Sequence, residues 1–133
     1  MSAELAKRAV ACKHWRWMPG MLTLEEIVPP AITLGWDAAR VLHADEGGAV
    51  RVCTVLRKVR DIHDTALPDL TDPLTVQALL LLVREAWGKP GIHARRRGVG
   101  IWAVYADPWL KRKPLGRGDT EAAALVATLE AAP

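Results

Sequence analysis

The sequence predicts an α+β protein: a mainly antiparallel sheet with three helices packed on it, one of them long and central. Two observations support this class. A strongly apolar stretch with clear helix-end signals occupies Asp69–Gly88, and the strand-like runs come in pairs joined by short turns. Parallel strands would need long crossovers between them. Half of the 133 residues are apolar, and a chain of this length predicts a single domain over residues 1–133.

The central helix is predicted from its ends and from its apolar arc. Asp72 can accept the free N–H groups of a first turn, and Pro73 suits the first helical position. Gly88 can adopt the left-handed conformation that ends a helix, and Pro90 prevents its continuation. Apolar side chains cover roughly 200° of the circumference between these ends. We therefore expect this helix to lie across a sheet and to be covered on its flanks.

The remaining elements follow from capping and alternation signals. Ser2 is predicted to cap a helix over Ala3–Cys12, and Thr120 a last helix to about Ala131. A Pro-Gly turn makes Trp15–Leu24 a candidate hairpin, and a short strand is expected near Ile32–Leu34. Two further hairpins are predicted: Ala39–Ala44 with Val50–Leu56, and Ile92–Arg96 with Val99–Ala106.

Two segments are predicted to be irregular, Asp61–Pro68 and Asp107–Gly118. In the first, Asp61, His63 and Asp64 could surround a metal ion, but a loop with three polar residues is much more often solvated surface. Metal ions require a full convergent ligand set. We therefore predict neither a metal nor another cofactor.

Composition and motif content exclude several classes of function. The chain has no phosphate-binding P-loop, nucleophile elbow, zinc-protease motif or paired cysteines, so we predict that it is not an enzyme. A formal charge of +3 and the lack of a helix-turn-helix pattern argue against nucleic acid as a partner. No leader-like or membrane-spanning apolar run is present, which predicts a cytoplasmic protein without membrane association.

Three segments carry a resemblance to known proteins: WRWMPGMLTL at residues 15–24, PDLTDPLTVQALLLLVREAWG at 68–88, and PLGRGDTEAAALVATLEAAP at 114–133. Together they resemble a group of small phage and prophage proteins and, more loosely, the phage α/β/α-sandwich domains. The resemblance implies a phage origin, the cytoplasm of a host cell and a compact α/β fold. It supplies no catalytic residues. In size, origin and class the chain also resembles phage anti-defence sponges, which implies the capture of a nucleotide signal.

Arginine and tryptophan residues form the candidate site. On a strand, Arg95 and Arg97 share a face, and Trp102 on the returning strand could pair with them to hold phosphates and stack a base. Arg16 and Trp17 repeat this chemistry near the start of the chain. The alternative is that such arginines protect a sheet edge and cover tryptophan rings.

A second anion-binding signal runs from Gly116 to Thr120 into the last helix. Its glycines allow close backbone approach, the helix start offers free N–H groups, and Arg117 adds a phosphate-binding fork. Asp119 opposes this interpretation because it could cap the helix and repel an anion. Adding Trp109 as a stacking residue, the predicted ligand-binding residues are Arg16, Trp17, Arg95, Arg97, Trp102, Trp109 and Arg117.

The predicted function is that of a non-enzymatic phage accessory protein that binds and sequesters an anionic, nucleotide-like ligand to counter host defence. We expect it to act as a homo-oligomer. The alternative is an inhibitor or assembly partner that binds a host or phage protein, such as a host defence protein. That alternative predicts a large exposed apolar or tryptophan-bearing patch and no small-molecule pocket.

Overall fold

The computed structural model describes residues 3–26, 36–54, 57–106 and 113–133. Within these ranges the chain forms three helices and two antiparallel sheets, of five and three strands, so the predicted α+β class is confirmed. The strands divide between two sheets rather than forming one. The chain separates into two compact units, with Trp17–Thr75 in the first and the segment up to Arg16 together with Val76–Pro133 in the second.

The first unit is built on a five-stranded sheet, whose strands are β1 Leu22–Glu26, β2 Trp36–Ala44, β3 Val50–Thr54, β4 Val59–Asp61 and β5 Leu67–Pro68. Their order in the sheet is β4-β3-β2-β1-β5. The predicted β2–β3 hairpin is confirmed, with Val41 and Val52 paired and buried at its centre. Its turn is closed by Asp45, whose carboxylate accepts the Ala49 N–H at 2.8 Å.

The hairpin predicted for Trp15–Leu24 is wrong. The Pro-Gly turn does form, with the Met21 N–H donating to the Met18 carbonyl at 3.1 Å, but only the residues after it enter a strand. That strand, β1, pairs with β2 and β5 instead of with the residues before the turn. Tertiary pairing with β2 therefore overrides the local alternation. The strand expected at Ile32–Leu34 lies outside the described residues.

Helix α2, Pro73–Trp87, has the ends that the sequence predicts. The Asp72 carboxylate accepts the Thr75 N–H at 2.9 Å, which caps the first turn. Gly88 has φ +62°, the left-handed conformation that ends the helix. At 15 residues α2 is the longest of the described helices, and Leu79 is fully buried on it.

A polar network joins the start of α2 to the sheet of the first unit. Arg40 donates to both Asp72 carboxylate oxygens, at 3.1 and 3.2 Å, and to the Gly20 carbonyl at 2.7 Å. Thr75 is fully buried; its hydroxyl donates to Asp72 at 2.9 Å and accepts the Leu22 N–H at 2.8 Å. The network thus satisfies buried polar groups of the helix start and of β1 together.

This network predicts a pH dependence of stability. Burial alone raises the pKa of Asp72, but hydrogen bonds from Arg40 and Thr75 outweigh it and hold that pKa below its usual value. A carboxylate with a lowered folded-state pKa stabilises the fold above its unfolded pKa of about 3.9. We expect the free energy of unfolding to fall as pH drops from about 5 through the folded-state pKa. Urea titrations between pH 3 and 7 would measure this.

The Asp72→Asn variant provides the control for that titration. Its unfolding free energy should depend less steeply on pH below 5 than that of the wild type, because the titrating carboxylate is gone. Equal slopes in both proteins would show that other groups cause the acid sensitivity.

The second unit holds α1, most of α2, the sheet β6-β7-β8 and α3. The predicted β6–β7 hairpin and the last helix, capped by Thr120, are confirmed. In the segment Asp107–Gly118, which was predicted to be irregular, residues 116–118 instead form strand β8. Residues 107–112 of that segment lie outside the described residues. The bounds are α1 Ala3–Ala11, β6 His93–Gly98, β7 Ile101–Tyr105, β8 Gly116–Gly118 and α3 Glu121–Glu130.

Helix α3 packs against this sheet so closely that β8 needs glycine. A Cβ added at Gly116 would lie 2.2 Å from Thr128 Oγ1 and 2.8 Å from the Ala124 carbonyl oxygen. One added at Gly118 would lie 2.5 Å from the Ala124 nitrogen. We predicted from the sequence that the central helix, α2, covers a sheet. In this unit the close helix–sheet contact is made by α3 instead. None of the helices described here is both long and apolar enough to cross a membrane.

Candidate functional site

Helix α3 covers one face of the β6-β7-β8 sheet, and its contacts with the two glycines of β8 show which strand residues lie on that face. Gly116 is paired with Val104, and Gly118 with Trp102, and directly paired residues of antiparallel strands point to the same face. Because the missing Cβ atoms of both glycines point at α3, Val104 and Trp102 lie on the α3 side. Val104 is fully buried there, and Trp102 is half-buried.

The opposite side of the same sheet carries a cluster of cationic and aromatic residues. Ala103 lies between Arg95 on β6 and Arg117 on β8, since it is paired with both. Two residues along β7, Tyr105 is paired with His93, and their rings stack at 5.9 Å with an interplanar angle of 30°. We call this surface the arginine face, and it consists of His93, Arg95, Arg97, Ala103, Tyr105 and Arg117.

Arg97 joins this face through a β-bulge. The register shifts between Arg96 and Gly98, so Arg97 is the extra residue of β6. Its guanidinium lies 5.9 Å from the centre of the Tyr105 ring, a cation–π contact. Ala103 lies between these two residues along the sheet and is only 2% exposed.

The charges of the arginine face are not neutralised by the residues that the structure describes. Arg95, Arg97 and Arg117 are exposed, and no hydrogen bond or ion pair joins them to another described residue. Other arginines are paired: Arg8 with Glu130 at 2.6 Å and Arg40 with Asp72. Three cations on one surface, none of them with an acidic partner among the described residues, create a positive potential that attracts anions.

Three of the seven predicted ligand-binding residues, Arg95, Arg97 and Arg117, therefore share one surface. Trp102 is on the α3 side of the sheet, paired with Arg96 rather than with Arg95. Trp17 belongs to the first unit and is half-buried. Trp109 lies outside the described residues. Arg16 is in the second unit, in an ion pair with Glu85.

The ion pair of Arg16 lies in a shallow cavity of about 430 Å³ between α2 and the segment that follows α1. Lys13, His14 and Leu82 also line it. The Nε2 atom of His14 is buried and has no hydrogen-bond partner among the residues that the structure describes. Glu85 offsets the positive charge of Arg16 in this cavity, whereas no acidic partner is described for the arginines of the arginine face.

The anion-binding loop predicted at Gly116–Thr120 has a different structure. Its first three residues form β8, with both glycines under α3. The Thr120 hydroxyl accepts the Ala123 N–H at 3.1 Å and so occupies the helix start. Arg117 is exposed on the arginine face and is the residue of this segment that remains available to an anion.

Sequence reasoning missed Tyr105 and His93 as members of the site. Their signal was available: Tyr105 alternates with Ala103 on β7, and His93 lies two residues before Arg95. Among the described residues, no group of three His, Cys, Asp or Glu side chains is placed to hold a metal ion. The arrangement is suited to binding an anion next to a planar ring.

Comparisons of the chain with protein-family models, with curated proteins and with solved structures found no match. An open three-stranded antiparallel sheet, with a helix on one side and arginines beside an aromatic pair on the other, defines a candidate anion-binding surface.

Proposed function

We propose that the protein is a non-enzymatic binding protein that holds an anionic, nucleotide-like ligand on the arginine face. The observation that carries this proposal is the row formed by Arg95, Ala103 and Arg117, next to the stacked rings of Tyr105 and His93. Guanidinium groups bind phosphate through paired N–H donors, and an aromatic ring can stack a base. Both parts of a nucleotide thus have a partner on the same surface.

The phage origin and the sequestration of a host defence signal, predicted from the resemblance, are part of the same proposal. A sponge has to bind its ligand without converting it. A surface of arginines and aromatic rings supplies groups that bind phosphate and stack a base. Oligomer formation stays a prediction.

The alternative, a protein-directed inhibitor, has limited support in the second unit. Val99 and Ile101, at the end of the β6–β7 hairpin, are 89% and 52% exposed. These two side chains adjoin the arginine face and would add apolar contact area to a protein interface. They form a smaller patch than the alternative predicts.

Ligand binding is testable by thermal stabilisation. Cyclic dinucleotides, ADP-ribose and cyclic ADP-ribose isomers, each at high excess, should raise the melting temperature if they bind the native state. A ligand at 100 times its Kd would stabilise the protein by about 2.7 kcal/mol. We expect a rise with at least one of these nucleotides in the wild type.

The arginine face is tested by the double variant Arg95→Gln and Arg117→Gln. Loss of two charge-assisted contacts should weaken binding about 100-fold and abolish the thermal shift. Arg51→Gln is the matched control, because Arg51 is also an exposed strand arginine but lies in the first unit. Equal shifts in the double variant and in the control would exclude the arginine face as the site.

A further inference from the structure

We infer that the ligand of the arginine face is single-stranded nucleic acid rather than a free mononucleotide, an inference that rests on the proposed function. The first argument is shape. Small ligands are held in concave pockets that cover most of their surface. The arginine face is one side of a sheet, with Arg95 and Arg117 exposed on its two outer strands. Cations exposed on both outer strands of a sheet suit an extended chain that crosses the sheet and continues beyond it.

The second argument is spacing. Arg95 and Arg117 are two strand positions apart, which is about 10 Å. Tyr105 lies two residues along β7 from the row they form, about 7 Å away. Cations at this separation can meet successive phosphates of one strand while the base between them reaches the Tyr105 ring. A ligand with a single phosphate would leave one of the two arginines without a partner.

The third argument is the aromatic pair. Tyr105 and His93 present two adjacent rings next to the cations, and Arg97 adds a planar guanidinium against the Tyr105 ring. Bases of single-stranded nucleic acid stack on aromatic side chains and on arginine planes, because unpaired bases expose their ring faces. A duplex keeps its bases stacked internally and cannot use these rings.

The small net charge of the chain does not oppose this inference. Electrostatic binding depends on the cations that meet phosphates on one surface, not on the sum over the chain. Strands β6, β7 and β8 contain four arginines and no acidic residue, and Asp119 follows β8 as the nearest carboxylate in the sequence. The excess positive charge of the sheet is therefore local, which the composition alone does not reveal.

Fluorescence anisotropy with labelled rU12 and dT12 tests the inference directly. We expect both oligonucleotides to bind more tightly than ATP or a cyclic dinucleotide, which are added as competitors. Each phosphate neutralised on a single strand contributes about −0.7 to the slope of log K against log salt concentration. With three arginines engaged, the slope should be about −2.

Two variants and one control separate the parts of the site. Arg95→Gln should weaken oligonucleotide binding about tenfold at low salt and make the slope shallower by about 0.7. Tyr105→Leu should weaken binding while leaving the slope unchanged, because it removes stacking but no charge. Arg51→Gln should change neither quantity. Circular dichroism melting will show whether each variant is folded. If Tyr105→Leu does not fold, the inference is tested by the change that Arg95→Gln makes in the slope of log K against log salt concentration.

The outcomes distinguish this inference from the proposed function. If a cyclic dinucleotide or ATP binds the arginine face as tightly as rU12 and dT12 do, the inference is wrong and the proposed function stands. If a 12-base-pair duplex binds as tightly as the single strands, the inference is also overturned, since stacking is then not used. If no nucleotide or oligonucleotide binds, both the inference and the proposed function fail.

Discussion

Replacing Gly116 with alanine should lower the free energy of unfolding by about 3 kcal/mol, as overpacking of a tight contact does. The new Cβ would lie 2.2 Å from Thr128 Oγ1 and 2.8 Å from the Ala124 carbonyl oxygen. The Thr128 hydroxyl already donates to that carbonyl at 2.7 Å, so α3 must shift away from β8. Thermal unfolding followed by circular dichroism should show a melting temperature roughly 10 °C lower.

Gly47→Ala is the matched control for this variant. Gly47 lies in the exposed β2–β3 turn, where an added Cβ would approach only the Asp45 carboxylate, at 3.4 Å. Its melting temperature should change by no more than about 2 °C. If Gly116→Ala melted at the wild-type temperature, the close packing of α3 on β8 would be contradicted, and with it the assignment of the two sheet faces.

The second large effect is expected for Thr75→Val, at about 2 to 3 kcal/mol of lost stability. Valine has nearly the same shape as threonine, but it removes the acceptor of the Leu22 N–H and a donor to Asp72. Thr75 is fully buried, so water cannot replace these partners without opening the site. The loss should appear as a lower midpoint in urea unfolding with an unchanged m-value.

The Thr75→Ser variant distinguishes the contribution of the Thr75 hydroxyl to stability from that of its buried methyl group. Serine keeps both hydrogen bonds and loses one buried methyl group, so it should cost only about 1 kcal/mol. If serine and valine destabilised the protein equally, the network around Asp72 would contribute little. The order wild type, serine, valine is the result that the network requires.

Local signals were sufficient to predict the ends of α2. Asp72, Pro73 and Gly88 each act within one turn of the helix, and their effects do not depend on the rest of the fold. The β2–β3 hairpin was predictable for the same reason, since alternating runs flank a turn that Asp45 and Gly48 can form. In each case the residues that decide the structure are neighbours in sequence.

Strand β8 could not be predicted from its own residues. Two glycines in three residues have low strand propensity, and here they are required because α3 leaves no room for a side chain. The register of β6 against β7 was also beyond local reasoning. A bulge at Arg97 pairs Trp102 with Arg96, and the packing of α3 places that pair on the side away from the arginine face.

In the candidate site, too, some residues could be predicted from their sequence neighbours, and others depend on tertiary packing. Alternation along β6 was enough to group Arg95 with Arg97, and both lie on the arginine face. The addition of Arg117 to their row depends on β8, which is set by tertiary packing. Arg16 could not be excluded from sequence, because its partner Glu85 is 69 residues away in the chain.

The central claim is that ligands bind on the arginine face, and backbone amide chemical-shift mapping tests it most directly. In a ¹⁵N-labelled sample titrated with rU12 or a cyclic dinucleotide, the largest shifts should fall in β6, β7 and β8, around Arg95, Ala103 and Arg117. Shifts centred instead on Lys13 to Arg16 and on Glu85 would place the ligand in the cavity beside α2 and contradict the claim.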